Sequence, residues 1–293
     1  MANDMNYSVL QMKFNLLWNQ GYLGDDIVIG VVDTGVEVDH PMLKGKVITG
    51  KNFSNDGRGV NDISSQHYHG TGVSGLICGS YINHRAYGVA PNSKIVIAKT
   101  LNDNGKADTS SIANAINYCI DQGVDIINCS IGCPSNDYYM EEAVRRAIAN
   151  NISVVVAMGN EGNGDFDGSI TEVSYPAHYD EAICVGAMDV NYNIADFSNS
   201  NEYVDVVAPG VDVLTAYPGG KYAYCDGTSF SCPIIAGSLA LLKQKFKVDF
   251  RREPCEAELF AMLLKYTRKI QGIPLQCQGH GYLDFSINKI RKK

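Results

Sequence analysis

Four polar residues stand in short glycine-rich stretches far apart along the chain: Asp33 in VVDTGVEVDHP, His69 in HGTGVSG, Asn160 in AMGNEGN and Ser229 in GTSFSCP. A serine hydroxyl is a weak nucleophile at neutral pH and needs a base beside it. Histidine accepts a proton near pH 7, and a carboxylate on its far side fixes the tautomer and stabilises the imidazolium. A side-chain amide such as that of Asn160 can hold the negative oxygen that develops in acyl transfer. These residue types therefore fit acyl transfer through a covalent serine intermediate. Ser229 also opens the apolar run FSCPIIAG, which reads as a helix. A helix N-terminus carries unpaired N–H groups and positive dipole character, which favour an oxyanion. Pro233 lacks an N–H, and its place near the start of that helix is expected to sacrifice little hydrogen bonding. Gly227 permits close backbone approach just before the hydroxyl.

The surrounding elements must bring these residues together. Six short runs are apolar on both faces: Ile27–Asp33, Lys94–Thr100, Val124–Ser130, Ile152–Met158, Ala182–Met188 and Val204–Pro209. Such runs predict strands covered by helices on both sides. Ile112, Ala115, Ile116, Cys119 and Ile120 keep helical spacing, as do Val144, Ala147 and Ile148 after Met140. Leu259, Met262, Leu263 and Tyr266 mark a further helix after Pro254. The alternation predicts an α/β fold: one doubly wound, mostly parallel sheet flanked by helices, with residues 1–293 as a single domain. In such sheets ligands bind beyond the carboxyl ends of the strands. Asp33 ends the first of these strands, Ser130 and Gly132 follow the third, and Asn160 follows the fourth.

Bulk composition narrows the classes of function. The chain is 45% hydrophobic and 19% charged, which is globular composition. With 32 acidic against 24 basic residues it carries a formal charge of −8, which argues against a nucleic-acid partner, since that needs a concentrated basic patch. No apolar stretch approaches a membrane span and no signal-peptide pattern opens the chain, so no membrane partner is expected. Nine cysteines without metal-ligand spacing predict free thiols in a reducing cytoplasm, with no metal ligand set among them. GNEGNG lacks the lysine of a phosphate loop, and Ser229 does not sit in the G-x-S-x-G elbow of esterases. His67, two residues before His69, does not precede Gly-Thr-Gly and reads as a loop residue.

Taken in the order Asp, His, Asn, Ser, the four motifs closely resemble those of the subtilisin-like serine protease family. The resemblance runs from about Leu16 to Phe285. Within it, NEGNGDFDGSITEVSYPAHYDEAICVGAM and FSNSNEYVDVVAPG look most like intracellular bacterial subtilisins. The resemblance implies a subtilisin-like fold and a cytoplasmic serine endopeptidase, with Ser229 as nucleophile, His69 as base and Asp33 as its orienting partner. Asn160 and the Ser229 N–H would receive the oxyanion. It further implies a peptide or protein substrate bound extended beside Ser130–Ile131–Gly132 and the stretch from Gly105 to Ala107. The primary pocket would be walled by Ala157, Gly159 and the turn holding Ser174, with a cis Tyr175–Pro176 bond. No cofactor is expected for the chemistry. A structural calcium is left open: Met42 replaces the aspartate of the family's strongest site, and the loop Gly79–Gly88 has few hard oxygen ligands. The acidic loop Glu161–Gly168 is the remaining candidate.

The chain also departs from that pattern. Gly72 stands where a second histidine is usual, which predicts a roomier neighbouring subsite. Phe230 replaces the usual methionine after the nucleophile, and its ring is expected to narrow the leaving-group side. Cys133 and Ser174 occupy places where glycine is common. About fifteen residues precede LLWNQGYLG, and no inhibitory prosegment is read there. Two alternatives accompany the endopeptidase reading: a dedicated processing peptidase that trims one leader or pro-peptide, and a non-catalytic peptide-binding scaffold. The intact set Asp33, His69, Asn160 and Ser229 argues against the scaffold. The oligomeric state is left open, a homodimer included.

Overall fold

The computed structural model describes residues 7–80, 88–164 and 172–287. Its strands are β1 (Val28–Asp33), β2 (Val47–Asn52), β3 (Lys94–Lys99), β4 (Ile126–Cys129), β5 (Ser153–Ala157), β6 (Ile183–Met188), β7 (Val204–Pro209), β8 (Val213–Tyr217), β9 (Lys221–Cys225), β10 (Thr267–Arg268) and β11 (Tyr282–Leu283). Its helices are α1 (Tyr7–Met12), α2 (Asn15–Trp18), α3 (His69–Cys78), α4 (Thr109–Asp121), α5 (Tyr138–Ala149), α6 (Thr228–Phe250), α7 (Glu256–Leu264) and α8 (Leu275–Gln278). Among the described residues, nine strands form one sheet in the order β10-β11-β7-β6-β5-β4-β1-β3-β2, and β8 pairs with β9 as a separate antiparallel hairpin. Pairing in the large sheet is parallel except between β10 and β11. This is the expected α/β architecture.

The six apolar runs became β1 and β3 to β7, and nearly every residue in them is buried. β2 escaped the pattern because it is the sheet edge: VITGKN is mostly half-exposed and mixes polar residues with glycine. The β8–β9 hairpin turns at Pro218-Gly219-Gly220, where Gly219 and Gly220 take φ of 80° and 68°. Its turn residues are a signal that apolar periodicity does not carry. Around β1 the strand order diverges, with β3 on one side and β4 on the other. The carboxyl ends of β1, β4 and β5 therefore border a common crevice.

α6 is buried continuously from Thr228 to Lys243 and packs against β4 to β7 and α3. A helix apolar on all sides belongs in the interior of a large domain. Pro233 lies deeper in this helix than expected, at its sixth residue. There the missing N–H is one that would have met the Ser229 carbonyl, so a helical hydrogen bond is lost. The Ser231 hydroxyl compensates by anchoring the first turns to β7, lying 3.0 Å from the Ala208 carbonyl oxygen and 3.2 Å from that of Pro209. All nine cysteines are free, seven of them buried, with Cys133 half-buried and Cys255 exposed.

Lys99 ends β3 opposite Asp33 and has no exposed surface. Its Nζ stands 2.7 Å from Asp56 Oδ2 and donates to the Ser64 carbonyl oxygen at 2.6 Å. Burial alone would raise the Asp56 pKa. The lysine, the Arg58 N–H and the Asn52 amide outweigh it and hold the carboxyl far below its usual range. This pair pins the loop after β2 to the sheet. Asp56→Asn leaves a lysine charge buried without its counter-ion, and should lower unfolding stability at pH 7 by about 3–5 kcal/mol. Urea denaturation checks this, and a loss under about 1 kcal/mol would show that the pair does not anchor the loop. Because the folded pKa is depressed, the contribution is present above the ordinary value of 3.8 and fades as pH falls below it.

Candidate active site

Asp33 closes β1 with its side chain wholly out of solvent, and His69 opens α3 with its side chain 17% exposed. His69 Nδ1 lies 2.8 Å from Oδ1 and 3.0 Å from Oδ2 of Asp33. The Thr34 N–H also donates to Oδ1, at 2.6 Å, while the Thr34 hydroxyl accepts the Gly70 N–H at 3.0 Å. Gly70 is required for this approach: a Cβ there would stand 2.1 Å from the Gly35 carbonyl oxygen. With Nδ1 donating to the carboxylate, the neutral ring keeps Nε2 as an acceptor. Burial would lower the His69 pKa, but the Asp33 charge and hydrogen bond outweigh it, so the net shift is upward from 6.5.

Ser229 is the second residue of α6 and is 8% exposed. Among the described residues its N–H meets no acceptor. Gly227, at φ 138°, sets the turn before it. A Cβ on Gly227 would stand 3.1 Å from Ser229 Oγ and 3.5 Å from Asn160 Nδ2. The hydroxyl and the amide thus flank one point, and only glycine leaves it open. The orientation of Asn160 is fixed by Thr228, whose N–H and hydroxyl both donate to Asn160 Oδ1, at 2.8 and 3.0 Å. The Gly159 N–H in turn donates to the Thr228 hydroxyl at 3.2 Å. With Oδ1 occupied, Nδ2 is the end left for a ligand. Asn199 braces the same loop, accepting the Glu161 N–H at 2.7 Å and donating to Glu161 Oε2 at 2.8 Å. Neither Thr228 nor Asn199 was singled out by the motifs, although Asn199 is a fully buried amide, which always needs partners.

His69, Ser229 and Asn160 line a cleft of about 260 Å³, and Asp33 sits behind His69. Gly105, Ser130, Ile131, Gly132, Ala157, Gly159 and Ser174 line the same cleft. Cys133 and Tyr175 form an antiparallel bridge with N···O distances of 2.9 and 2.8 Å, which joins the Ser130–Gly132 edge to the turn at the cis Tyr175–Pro176 bond. His67 is in a loop as expected, yet it also borders the cleft.

Two expectations about the neighbouring space are corrected. Phe230 is 1% exposed and does not border the cleft; its ring lies 5.4 Å from that of His69 and stacks on Tyr68 at 6.5 Å. Gly72 is buried instead of opening a roomier subsite, because a Cβ there would stand 3.1 Å from Thr215 Cγ2 and 3.2 Å from the Phe230 ring. The large residue at 230 fills the space beside the small one at 72. Met42 is fully buried with its methyl against Gly79, so its side chain brings no oxygen ligand where the family's aspartate would stand. Residues 81–87 of the loop Gly79–Gly88, and 165–168 of the loop Glu161–Gly168, lie outside the described residues.

Comparison with known proteins gives a consistent picture. The Subtilase family matches residues 24–281. The chain is 40% identical over 284 residues to the major intracellular serine protease of Bacillus subtilis (strain 168), covering 96% of this chain and 88% of the relative. It is 41% identical over 283 residues to an intracellular serine protease of Paenibacillus polymyxa, covering 96% and 86%. Against subtilisin DY of Bacillus licheniformis it is 36% identical over 249 residues, covering 84% and 86%.

The Thr228 contacts yield a test of how Asn160 is aimed. Thr228→Val removes the hydroxyl but keeps the N–H, and should lower kcat about tenfold, the worth of one oriented hydrogen bond, with KM changed less than about twofold. Thr228→Ser should stay near wild type. Steady-state kinetics on one peptide checks this, and an unchanged kcat in the valine variant would show that the hydroxyl does not aim the amide.

Proposed function

The chain belongs to the subtilase family and is a subtilisin-like serine endopeptidase, and from that premise we propose that Ser229 carries its acyl-enzyme. In this reading Ser229 Oγ attacks the carbonyl carbon of an extended peptide while His69 Nε2 takes the hydroxyl proton. Asp33 holds the Nδ1–H and stabilises the imidazolium. The oxyanion accepts hydrogen bonds from Asn160 Nδ2 and the Ser229 N–H, aided by the positive end of α6. His69 then gives its proton to the departing amine, and the same ring activates the water that hydrolyses the ester. The observation that carries the reading is the 2.8 Å contact from His69 Nδ1 to a carboxylate with no solvent access, behind the cleft that His69, Ser229 and Asn160 line.

The substrate would lie between the Gly105 edge and the Ser130–Ile131–Gly132 edge, whose backbone groups can pair with a strand of any sequence. Its primary side chain would enter between Ala157, Gly159 and Ser174. No step in this chemistry calls for a cofactor. A cytoplasmic location fits the free cysteines and the intracellular relatives, and no helix among the described residues is long and apolar enough to cross a membrane.

A fluorophosphonate probe tests the nucleophile directly. The wild-type chain should be labelled and should cleave peptides, and Ser229→Ala should do neither. Labelling that persists in Ser229→Ala would move the nucleophile elsewhere. The pH profile tests the base. His69 must be neutral to act, and its pKa is shifted upward from 6.5 by Asp33. The acid limb of kcat/KM should therefore have its midpoint above 6.5, with activity rising as pH increases through it. A profile flat from pH 5 to 8 would contradict a histidine base.

A further inference from the structure

The proposed hydrolysis uses one of the two histidines in the cleft and gives His67 no part. The His67 ring stacks on Tyr68, with centroids 4.9 Å apart and planes 19° apart, and lies 6.2 Å from the His69 ring. Its loop is fastened on both sides. The His67 N–H donates to Ser65 Oγ at 3.0 Å, and Asp103 Oδ1 accepts from the Ser65 hydroxyl and the Gln66 N–H. Most informative is the ring nitrogen Nδ1, which accepts the His69 backbone N–H at 3.3 Å. An imidazole nitrogen that accepts carries no proton, so the neutral ring bears its proton on Nε2. Among the described residues Nε2 has no hydrogen-bond partner, and it lies 3.9 Å from where a Cβ on Gly105 would stand. A donor of fixed tautomer is thus presented, unpaired, at the edge along which substrate would lie.

The ring is also kept neutral. A second proton would have to sit on Nδ1, facing a donating N–H. Burial and the neighbouring His69 push the His67 pKa down, against a smaller opposing pull from Asp33 and Asp103. His67 therefore acts by donating a hydrogen bond, not by charge.

Side chains of an extended strand alternate between opposite faces. If the residue whose carbonyl is attacked points toward Ala157, Gly159 and Ser174, the residue before it points to the other face of the strand, and His67 borders the same cleft beside Gly105. We infer that His67 is a specificity-determining residue: its Nε2–H selects substrates whose residue before the attacked one carries a hydrogen-bond-accepting oxygen. The inference rests on the Ser229 reading of the site. An apolar side chain in that place would shut the N–H away from water without a partner, the costlier outcome.

The test uses the full chain and paired peptides that differ only at this residue, Asn against the similarly sized Leu. Wild type should favour Asn in kcat/KM by about tenfold. His67→Phe keeps a ring to stack on Tyr68 but has no nitrogen, and should bring the ratio to about one. Taking a ratio removes any general loss of rate from the missing acceptor on the His69 N–H. His67→Gln keeps a side-chain N–H and should retain the preference for Asn. Equal wild-type rates on the two peptides, or a preference that survives in His67→Phe, would overturn the inference while leaving Ser229 in place. Cleavage by Ser229→Ala would instead remove the serine mechanism and this inference with it.

Discussion

A carboxylate with no exposed surface is held against an imidazole, and much of the surrounding backbone is organised to make that tolerable. An ionised carboxylate removed from water is costly unless donors replace the lost hydration. Asp33 receives the His69 Nδ1–H and the Thr34 N–H. Lys99, the next cation along the sheet, is directed away to Asp56 and the Ser64 carbonyl oxygen. Had Lys99 turned toward Asp33, it would have competed with His69 for the same oxygens. The outlying Asp56 pair therefore neutralises the buried lysine that ends the strand beside Asp33.

The same arrangement ties the segment before His69 to the turn that carries Gly105. Asp56 and Ser64 are bound to Lys99, while Ser65, Gln66 and Arg58 are bound to Asp103. Asp103 lies two residues before Gly105, in the turn where Asn102 Oδ1 accepts the Asn104 and Lys106 N–H groups. The stretch carrying both histidines and the stretch carrying Gly105 are consequently one laced unit. A reactive group displaced by about 1 Å can lose two orders of magnitude in rate, so such lacing bears directly on chemistry.

Sequence made much of this visible, for identifiable reasons. β1 and β3 to β7 were readable because strands buried on both faces must be apolar throughout. Asp33, His69, Asn160 and Ser229 stood out because acyl transfer would constrain residue type and because each sits near glycines that close backbone approach demands. β2 and β10 were not, since edge and two-residue strands owe their pairing to neighbours and not to their own pattern. Thr228 and Asn199 act by aiming or bracing other groups, and a hydroxyl or amide in a loop looks alike whether it braces a site or faces water. The tautomer of His67 depends on one backbone N–H two residues away, which residue order alone does not orient. Gly72 and Phe230 were misjudged because each was weighed singly, whereas packing density couples them.

The depth of α6 completes the physical account of the setting of Ser229, the proposed nucleophile. A serine mounted on a surface loop would sample many positions, but Ser229 is the second residue of a helix that stays buried over its next fourteen residues, Phe230 to Lys243. Polar groups in that interior need partners, and the partners point back to the Ser130 edge of the cleft. Cys232 Sγ donates to Asn128 Oδ1 at 3.2 Å, and Asn128 Nδ2 donates to Ser130 Oγ at 2.9 Å. One buried chain of hydrogen bonds thus runs from the helix carrying Ser229 to the strand end that flanks the cleft. Its members have 0%, 0% and 3% exposure, so water cannot substitute for any of them. Moving the helix relative to that edge would leave buried groups unpaired, at a cost of about 1–3 kcal/mol each. The spacing between Ser229 and the Ser130 edge is therefore set by polar contacts beneath the cleft floor as well as by those lining it.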